Sequence, residues 1–172
     1  MSNFYSTINP YKRWIDVYDI LIKYKFKSPF PKAADIGCSS GYITDKICSL
    51  FFNCIGFDSD PEEIQRAKKT YPNHSFYNFT VDEFISSDKY DKYDLMLFLG
   101  VYQHLGDIRY ANKILDKMIQ ATSDLLIMRI PKRRLKHVSK FVMNYLKQFN
   151  ITFHSNNNPK LGHLITMERI YE

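Results

Sequence analysis

The chain has 172 residues, 45% hydrophobic and 24% charged, the proportions of a soluble globular protein and enough for a single domain, 1–172, with a substantial core. No run reaches the about 18 consecutive apolar residues of a membrane span, and Met1–Pro10 lacks the apolar stretch of a signal peptide, so a cytoplasmic protein without a membrane partner is expected. The net charge of +6 leans weakly toward an anionic partner, while three cysteines (Cys38, Cys48, Cys54) and five scattered histidines show no metal-ligand spacing, so reduced thiols and no metal site are expected.

Pro10–Tyr24 reads as a helix, with Trp14, Val17, Tyr18, Leu21 and Ile22 recurring at three- and four-residue steps. It belongs to an N-terminal extension, residues 1–32, closed by the connector Ser28-Pro29-Phe30-Pro31. The core, 33–172, then alternates. Ala33–Cys38 is a strand and Tyr42–Phe52 a helix; Cys54–Asp58 is a second strand. Pro61 follows Asp60 at a helix first-turn position, with Glu62 and Glu63 suiting the positive end. Ser75–Phe79 is a third strand, followed by a short helical piece around Asp82–Ile85. Tyr93–Gly100 is a nearly continuous apolar run, the mark of a strand buried on both faces.

Helices over Tyr110–Ala121 and Leu135–Phe149 flank a fifth strand, Leu125–Ile130. Two last strands, Ile151–His154 and His163–Ile170, are separated only by a polar connector, too short for a helix, so an antiparallel hairpin closes the chain. The sum is an α/β doubly wound sheet of seven mostly parallel strands.

In such sheets ligands bind outside the carboxyl ends of the strands. After strand one stand Asp35 and the loop Gly37-Cys38-Ser39-Ser40-Gly41, whose small residues leave main-chain N–H groups open to a ligand anion. Asp58 ends strand two, 21 residues beyond Gly37, where an acid accepts hydrogen bonds from ribose hydroxyls. A turn and helix cap at Asp58-Ser59-Asp60 is the structural alternative.

Asp35 through Gly41, Asp58 after strand two, and Tyr93–Val101 together resemble the class I S-adenosylmethionine-dependent methyltransferases, from about residue 33 to the C-terminus. That resemblance implies a Rossmann-like fold, with S-adenosyl-L-methionine as methyl donor and S-adenosyl-L-homocysteine as product. It implies that Asp35, Gly37, Cys38, Ser39 and Gly41 lie against the methionine part, and that Asp58 and Ser59 lie at the ribose. The family's adenine-contacting acid falls at Thr80 here, so Val81 or Asp82 is expected to serve instead. Leu99 and Gly100 would flank the donor. Leu99–His104, Tyr102 among them, would line the side where the methyl group is delivered. Ser39 stands where many members carry a third glycine.

His104 is the candidate general base, by position and near-neutral intrinsic pKa; a histidine capping the loop is the alternative. No Asn/Asp-Pro-Pro-Tyr/Phe follows strand four and no Pro-Cys nucleophile occurs there, which argues against exocyclic-amine methylation of DNA bases and C5-cytosine chemistry. Arg129, Lys132, Arg133 and Arg134 lead from strand five into the next helix, and cations there oppose the positive helix end, favouring an anion at that rim. Arg129, Arg133 and Arg134 are therefore candidate substrate ligands, with the connector Asn156, Asn157, Asn158 and Lys160 at the same edge. Tyr11, Arg13 and Trp14 are the residues available to cover the site. Transfer to oxygen or nitrogen of a phosphate- or carboxylate-bearing small molecule, a glycan or RNA is the expected activity. A non-catalytic RNA-binding or partner subunit is the first alternative. A nicotinamide-dependent oxidoreductase is the second, disfavoured because Gly37 and Gly41 do not fit G-x-G-x-x-G and no substrate domain fits.

Overall fold

A computed structural model describes residues 10–29, 31–51, 53–86, 92–154 and 162–171. The hairpin connector with Asn156, Asn157, Asn158 and Lys160 lies outside these, as do Phe30 and Phe52. The elements are α1 (Pro10–Leu21), β1 (Lys32–Ile36), α2 (Tyr42–Cys48), β2 (Asn53–Asp58), α3 (Pro61–Thr70), β3 (Ser75–Asn78), α4 (Val81–Ser86), β4 (Tyr93–Leu99), α5 (Ile108–Ala121), β5 (Thr122–Ile130), α6 (Lys132–Val142), β6 (Phe149–His154) and β7 (His163–Arg169). The seven strands form one sheet in the order β3-β2-β1-β4-β5-β7-β6. β7 runs antiparallel to both β5 and β6, and all other pairings are parallel. This is the doubly wound sheet expected, with its switch point between β1 and β4.

β4 explains how the two faces are filled. Its alternate side chains point to opposite sides. Leu95, Leu97 and Leu99 meet Trp14, Val17, Leu21, Ile43 and Ile47 from α1 and α2. Met96 and Phe98 meet Ile114, Leu115, Met118, Val138 and Val142 from α5 and α6. Each such buried side chain stabilises the fold by about 1.5–3 kcal/mol relative to exposure.

Caps set the helix starts. Asp60 accepts from the N–H groups of Glu62 and Glu63 at 2.9 and 3.3 Å, ahead of Pro61. Asp107 does the same for α5 through Arg109 and Tyr110.

Three local expectations are corrected. α6 ends at Val142, not Phe149; after a 3-10 turn at Met143–Tyr145 the buried Phe149 already pairs with Arg169 as the first residue of β6. β5 begins at Thr122, directly from α5, because Thr122 pairs with Tyr93. Cys48 and Cys54 are joined in a disulfide rather than reduced; α2 ends at Cys48 and the chain turns straight back into β2, bringing the Cα atoms to 5.3 Å. Cys38 is a free, buried thiol.

The buried Asp124 of β5 fastens the segment after α1. It accepts from the Tyr24 hydroxyl at 2.5 Å and the Lys27 N–H at 3.1 Å. Burial and that hydrogen bond push the Tyr24 phenol well above its usual pKa.

Candidate functional site

A cavity of about 410 Å³ opens at the carboxyl ends of β1, β2 and β4, within the size range of small-molecule sites. Gly37 and Ser39 line it from the first loop, Asp58 and Ser59 from the end of β2, and Thr80 and Val81 from the start of α4. Leu99, Gly100 and His104 close the β4 side. A cleft of about 500 Å³ between α1 and the β6–β7 hairpin, lined by Asp19, His154 and Thr166 among others, receives none of these strand-end residues.

The loop conformation is dictated by close approach. Gly37 has φ +79°, and a Cβ there would meet Val101 Cγ2 at 2.3 Å; Gly41 has φ +85°, with Phe76 ring carbons 2.7 and 2.8 Å from a Cβ. Ser39 also adopts a left-handed φ, +50°, which is why glycine is natural at its position.

The expectation that loop N–H groups wait for an anion is corrected. Gly37 and Cys38 N–H both donate to Phe57 O at 2.8 and 2.9 Å, and Gly41 N–H donates to Cys38 O at 3.0 Å. Ser39 N–H donates to Asp58 Oδ2 at 2.7 Å. The cation in this wall is instead Arg13, from the second turn of α1.

Asp58 is held ready at the cavity. Asp60 N–H donates to its Oδ1 at 2.9 Å, so both oxygens accept one backbone N–H. Each retains a lone pair for a further donor. The carboxylate is thus fixed in direction yet able to accept from a pair of vicinal hydroxyls. Ser39 Oγ donates to Glu63 at 3.0 Å, and Glu63 pairs with Arg66 at 2.6 Å.

Other expected residues stand back from the cavity. Asp35 is buried and accepts from Thr44 Oγ1 at 2.7 Å. Burial, abetted by the Asp58 charge, raises its pKa to about 6, against the opposing Thr44 hydrogen bond and the Arg13 charge. The Cys38 thiol is packed beneath the loop, 3.0 Å from where a Cβ on Gly56 would be, and burial pushes its pKa up. Gly41 faces Phe76 rather than the cavity. Thr80 and Glu83 form a capping box for α4: Thr80 N–H and Oγ1 donate to Glu83 at 2.8 Å, and Glu83 N–H donates back at 3.2 Å. Asp82 accepts from the Tyr110 hydroxyl and does not line the cavity, and that bond, with burial, pushes the Tyr110 phenol to about 12.

On the acceptor side two assignments change. Tyr102 is buried at 1% exposure, with its hydroxyl donating to Asn112 Oδ1 at 2.9 Å. Arg129 is buried at 2% exposure and donates to Asp16 Oδ2 at 2.9 Å. Its position on a strand between β4 and β7 points it under α1 instead of to the rim. Arg133 is exposed at the start of α6, and Arg134 donates to Gly106 O at 3.1 Å. His104 is exposed at the cavity mouth. The Gln103 amide donates to Gly100 O and lies 3.2 Å from His104 Nε2.

Sequence reasoning assigned no role to Ile36, Phe57, Phe79 or Phe84, which give the cavity its apolar wall. All but Phe84 lie at or just past strand carboxyl ends, the signal that would have found them.

Strand order, switch point and strand-end site define a class I S-adenosylmethionine-dependent methyltransferase fold. Residues 34–124 match the family model for a methyltransferase domain, more than half of the chain, and the chain belongs to that family. It is similar to a ubiquinone biosynthesis O-methyltransferase of Pelagibacter ubique (strain HTCC1062), 25% identical over 114 residues covering 64% of this chain and 47% of that protein. It also resembles a putative methyltransferase, 235L, of Invertebrate iridescent virus 6, 28% identical over 131 residues covering 67% and 48%. The chain thus spans about half the length of these curated relatives. In fold it resembles the magnesium protoporphyrin IX methyltransferase of Synechocystis PCC 6803 with bound SAM, with TM-score 0.74 at 14% identity over 92% of this chain and 79% of that one.

Proposed function

We propose that the protein transfers a methyl group from S-adenosylmethionine to an oxygen or nitrogen of an acceptor that carries an anionic group. The observation that carries the reading is Asp58, a carboxylate oriented by two backbone N–H groups at the end of β2 with one lone pair left on each oxygen. The donor set around it matches the parts of that cofactor. Asp58 suits a ribose diol; Phe57, Phe79, Val81 and Phe84 form an apolar slot suited to an adenine ring; Arg13 is the cation suited to the methionine carboxylate. The cofactor supplies a methyl group on a sulfonium, open to displacement by a nucleophile.

The chain's own residues then do two things. The Gly37–Ser39 loop and Leu99–Gly100 hold the two sides of the cavity close together, so that an acceptor entering at its mouth meets the donor in one orientation, where alignment supplies most of the acceleration. His104, exposed at the cavity mouth, is placed to accept the proton that a hydroxyl or ammonium acceptor must lose.

Isothermal titration calorimetry with S-adenosylmethionine and S-adenosylhomocysteine tests the donor half; a folded protein that binds neither sinks the reading. A methyl-transfer screen with labelled cofactor across RNA, glycans and small acids tests the acceptor half. With the acceptor in hand, His104→Ala is expected to lower kcat by about 10²-fold while sparing cofactor affinity; an unchanged kcat removes His104 from the chemistry.

A further inference from the structure

The chain's net charge has a single location. Lys and Arg number 24 against 18 Asp and Glu, and six of those cations lie between Lys132 and Lys147, with no acidic residue anywhere from Leu125 to Met167. Outside Lys132–Lys147 the charges balance. The structure places five of these cations on α6, with Lys132, Arg133, Lys136 and Lys140 turned away from the buried side that carries Val138 and Val142. Lys132, Arg133, Lys136, His137 and Lys140 are all exposed, and Lys147 follows just beyond the helix. Lys132, Lys136 and Lys140 form one row at four-residue steps, hence about 6 Å apart along the axis.

Stability does not call for this arrangement. Lys132, Arg133 and Arg134 occupy the first turn, which contains no acid, so three cations face the positive end of the helix. The ridge also has an address: Arg134 donates to Gly106 O, two residues after His104, so its N-terminal end abuts the mouth of the site.

We propose that the exposed face of α6 is a docking ridge for single-stranded RNA, which lays its phosphates along Lys132, Lys136 and Lys140 and brings a nucleotide to the His104 mouth. The inference rests on the methyltransferase reading and names the acceptor class for it. A row of cations at this spacing on one element tracks a phosphate backbone, the electrostatic part of single-strand binding. A lipid surface is the poorer match, because between Lys132 and Lys140 no large apolar side chain is exposed to enter a bilayer.

The test is fluorescence anisotropy of the full chain with a labelled mixed-sequence 20-nucleotide RNA, from 50 to 200 mM salt. Wild type is expected to bind, with affinity falling steeply as salt rises. K132E/K136E/K140E is expected to lose at least tenfold in affinity and about two units of the log–log salt slope. K23E/K68E/K69E, an equal charge change on exposed lysines elsewhere, is expected to lose less than threefold. Calorimetry with S-adenosylhomocysteine on both variants should match wild type, which separates failure of the ridge from failure of the cofactor reading. Equal loss in the two variants, no RNA binding by wild type at 50 mM salt, or tighter binding to vesicles with 30% phosphatidylserine than to RNA would each overturn the proposal.

Discussion

Arg129 reaches from the middle of the sheet to Asp16 on α1, Nη2 to Oδ2 at 2.9 Å, joining residues 113 positions apart. The guanidinium is 2% exposed and the carboxylate 32%. A cation in that setting is tolerated because it is paired. The pair ties α1 to β5 beside the apolar contacts of Trp14, Val17 and Leu21, and Arg13, one turn before Asp16 on the same helix, lines the cavity.

Asp16→Ala is expected to destabilise the protein by about 2 kcal/mol, below the value for a fully buried pair because Asp16 is partly solvated. Urea unfolding measures it. Arg129→Met, which removes the charge along with its need for a partner, is expected to cost less than Asp16→Ala. Both variants should weaken S-adenosylhomocysteine binding through Arg13. If Asp16→Ala leaves stability and cofactor affinity unchanged, α1 is held by its apolar face alone.

Asp58→Ala removes a charge-assisted acceptor for two hydroxyls and the acceptor of the Ser39 and Asp60 N–H groups. At about 1.5–3 kcal/mol for a hydrogen bond to a charged group, cofactor affinity should fall by about 10²-fold. Asp58→Asn, which keeps the shape and one acceptor oxygen, should lose less. Calorimetry reads both, and an alanine variant within threefold of wild type would remove Asp58 from the donor site.

Asp35 makes stability depend on pH in an unusual direction. Its pKa rises from the ordinary carboxylate value to about 6, chiefly through burial. Between about pH 4 and pH 6 the folded chain therefore keeps a proton that the unfolded chain has lost, and this group's contribution falls as pH rises through that window. Above pH 6 the burial of the charge remains as a constant cost of about 2–3 kcal/mol. Asp35→Asn has no such proton to lose. Relative to wild type it should gain about that much stability between pH 4 and pH 7, in paired denaturation curves. A wild-type-minus-variant difference that is flat with pH contradicts the assignment.

Gly37→Ala places a methyl group 2.3 Å from Val101 Cγ2 at a left-handed φ of +79°. The backbone term costs about 1–2 kcal/mol and the clash adds to it, so a loss of about 3 kcal/mol is expected. Combining it with Val101→Ala should recover the steric part and leave the backbone part. A double variant no better than the sum of the singles would mean that the loop moves instead of Val101.

The strand ends needed no coordinates. The apolar run at Tyr93–Leu99, the small residues from Gly37 to Gly41 and the acid at Asp58 are local signals, each a matter of which side chains the backbone tolerates at that point of a strand or turn. Such signals gather at one edge of the sheet, where Gly37, Ser39, Asp58, Ser59, Thr80, Val81, Leu99, Gly100 and His104 line one cavity. What they omit is direction and partnership. Arg129 stands near the end of a strand like any rim cation, but its register against Leu99 and Leu164 turns it beneath α1 toward Asp16. The loop N–H groups look open in a run of small residues, yet Phe57 O and Asp58 of the neighbouring strand claim those of Gly37, Cys38 and Ser39. Tyr102 reads as a rim aromatic and is buried on Asn112. Composition and spacing along the chain thus determined the fold and the sheet edge where its candidate site residues gather. Which side chains face that site was decided by strand pairing and helix packing, because a polar group's role depends on the partners folding brings to it from 10 to 113 residues away.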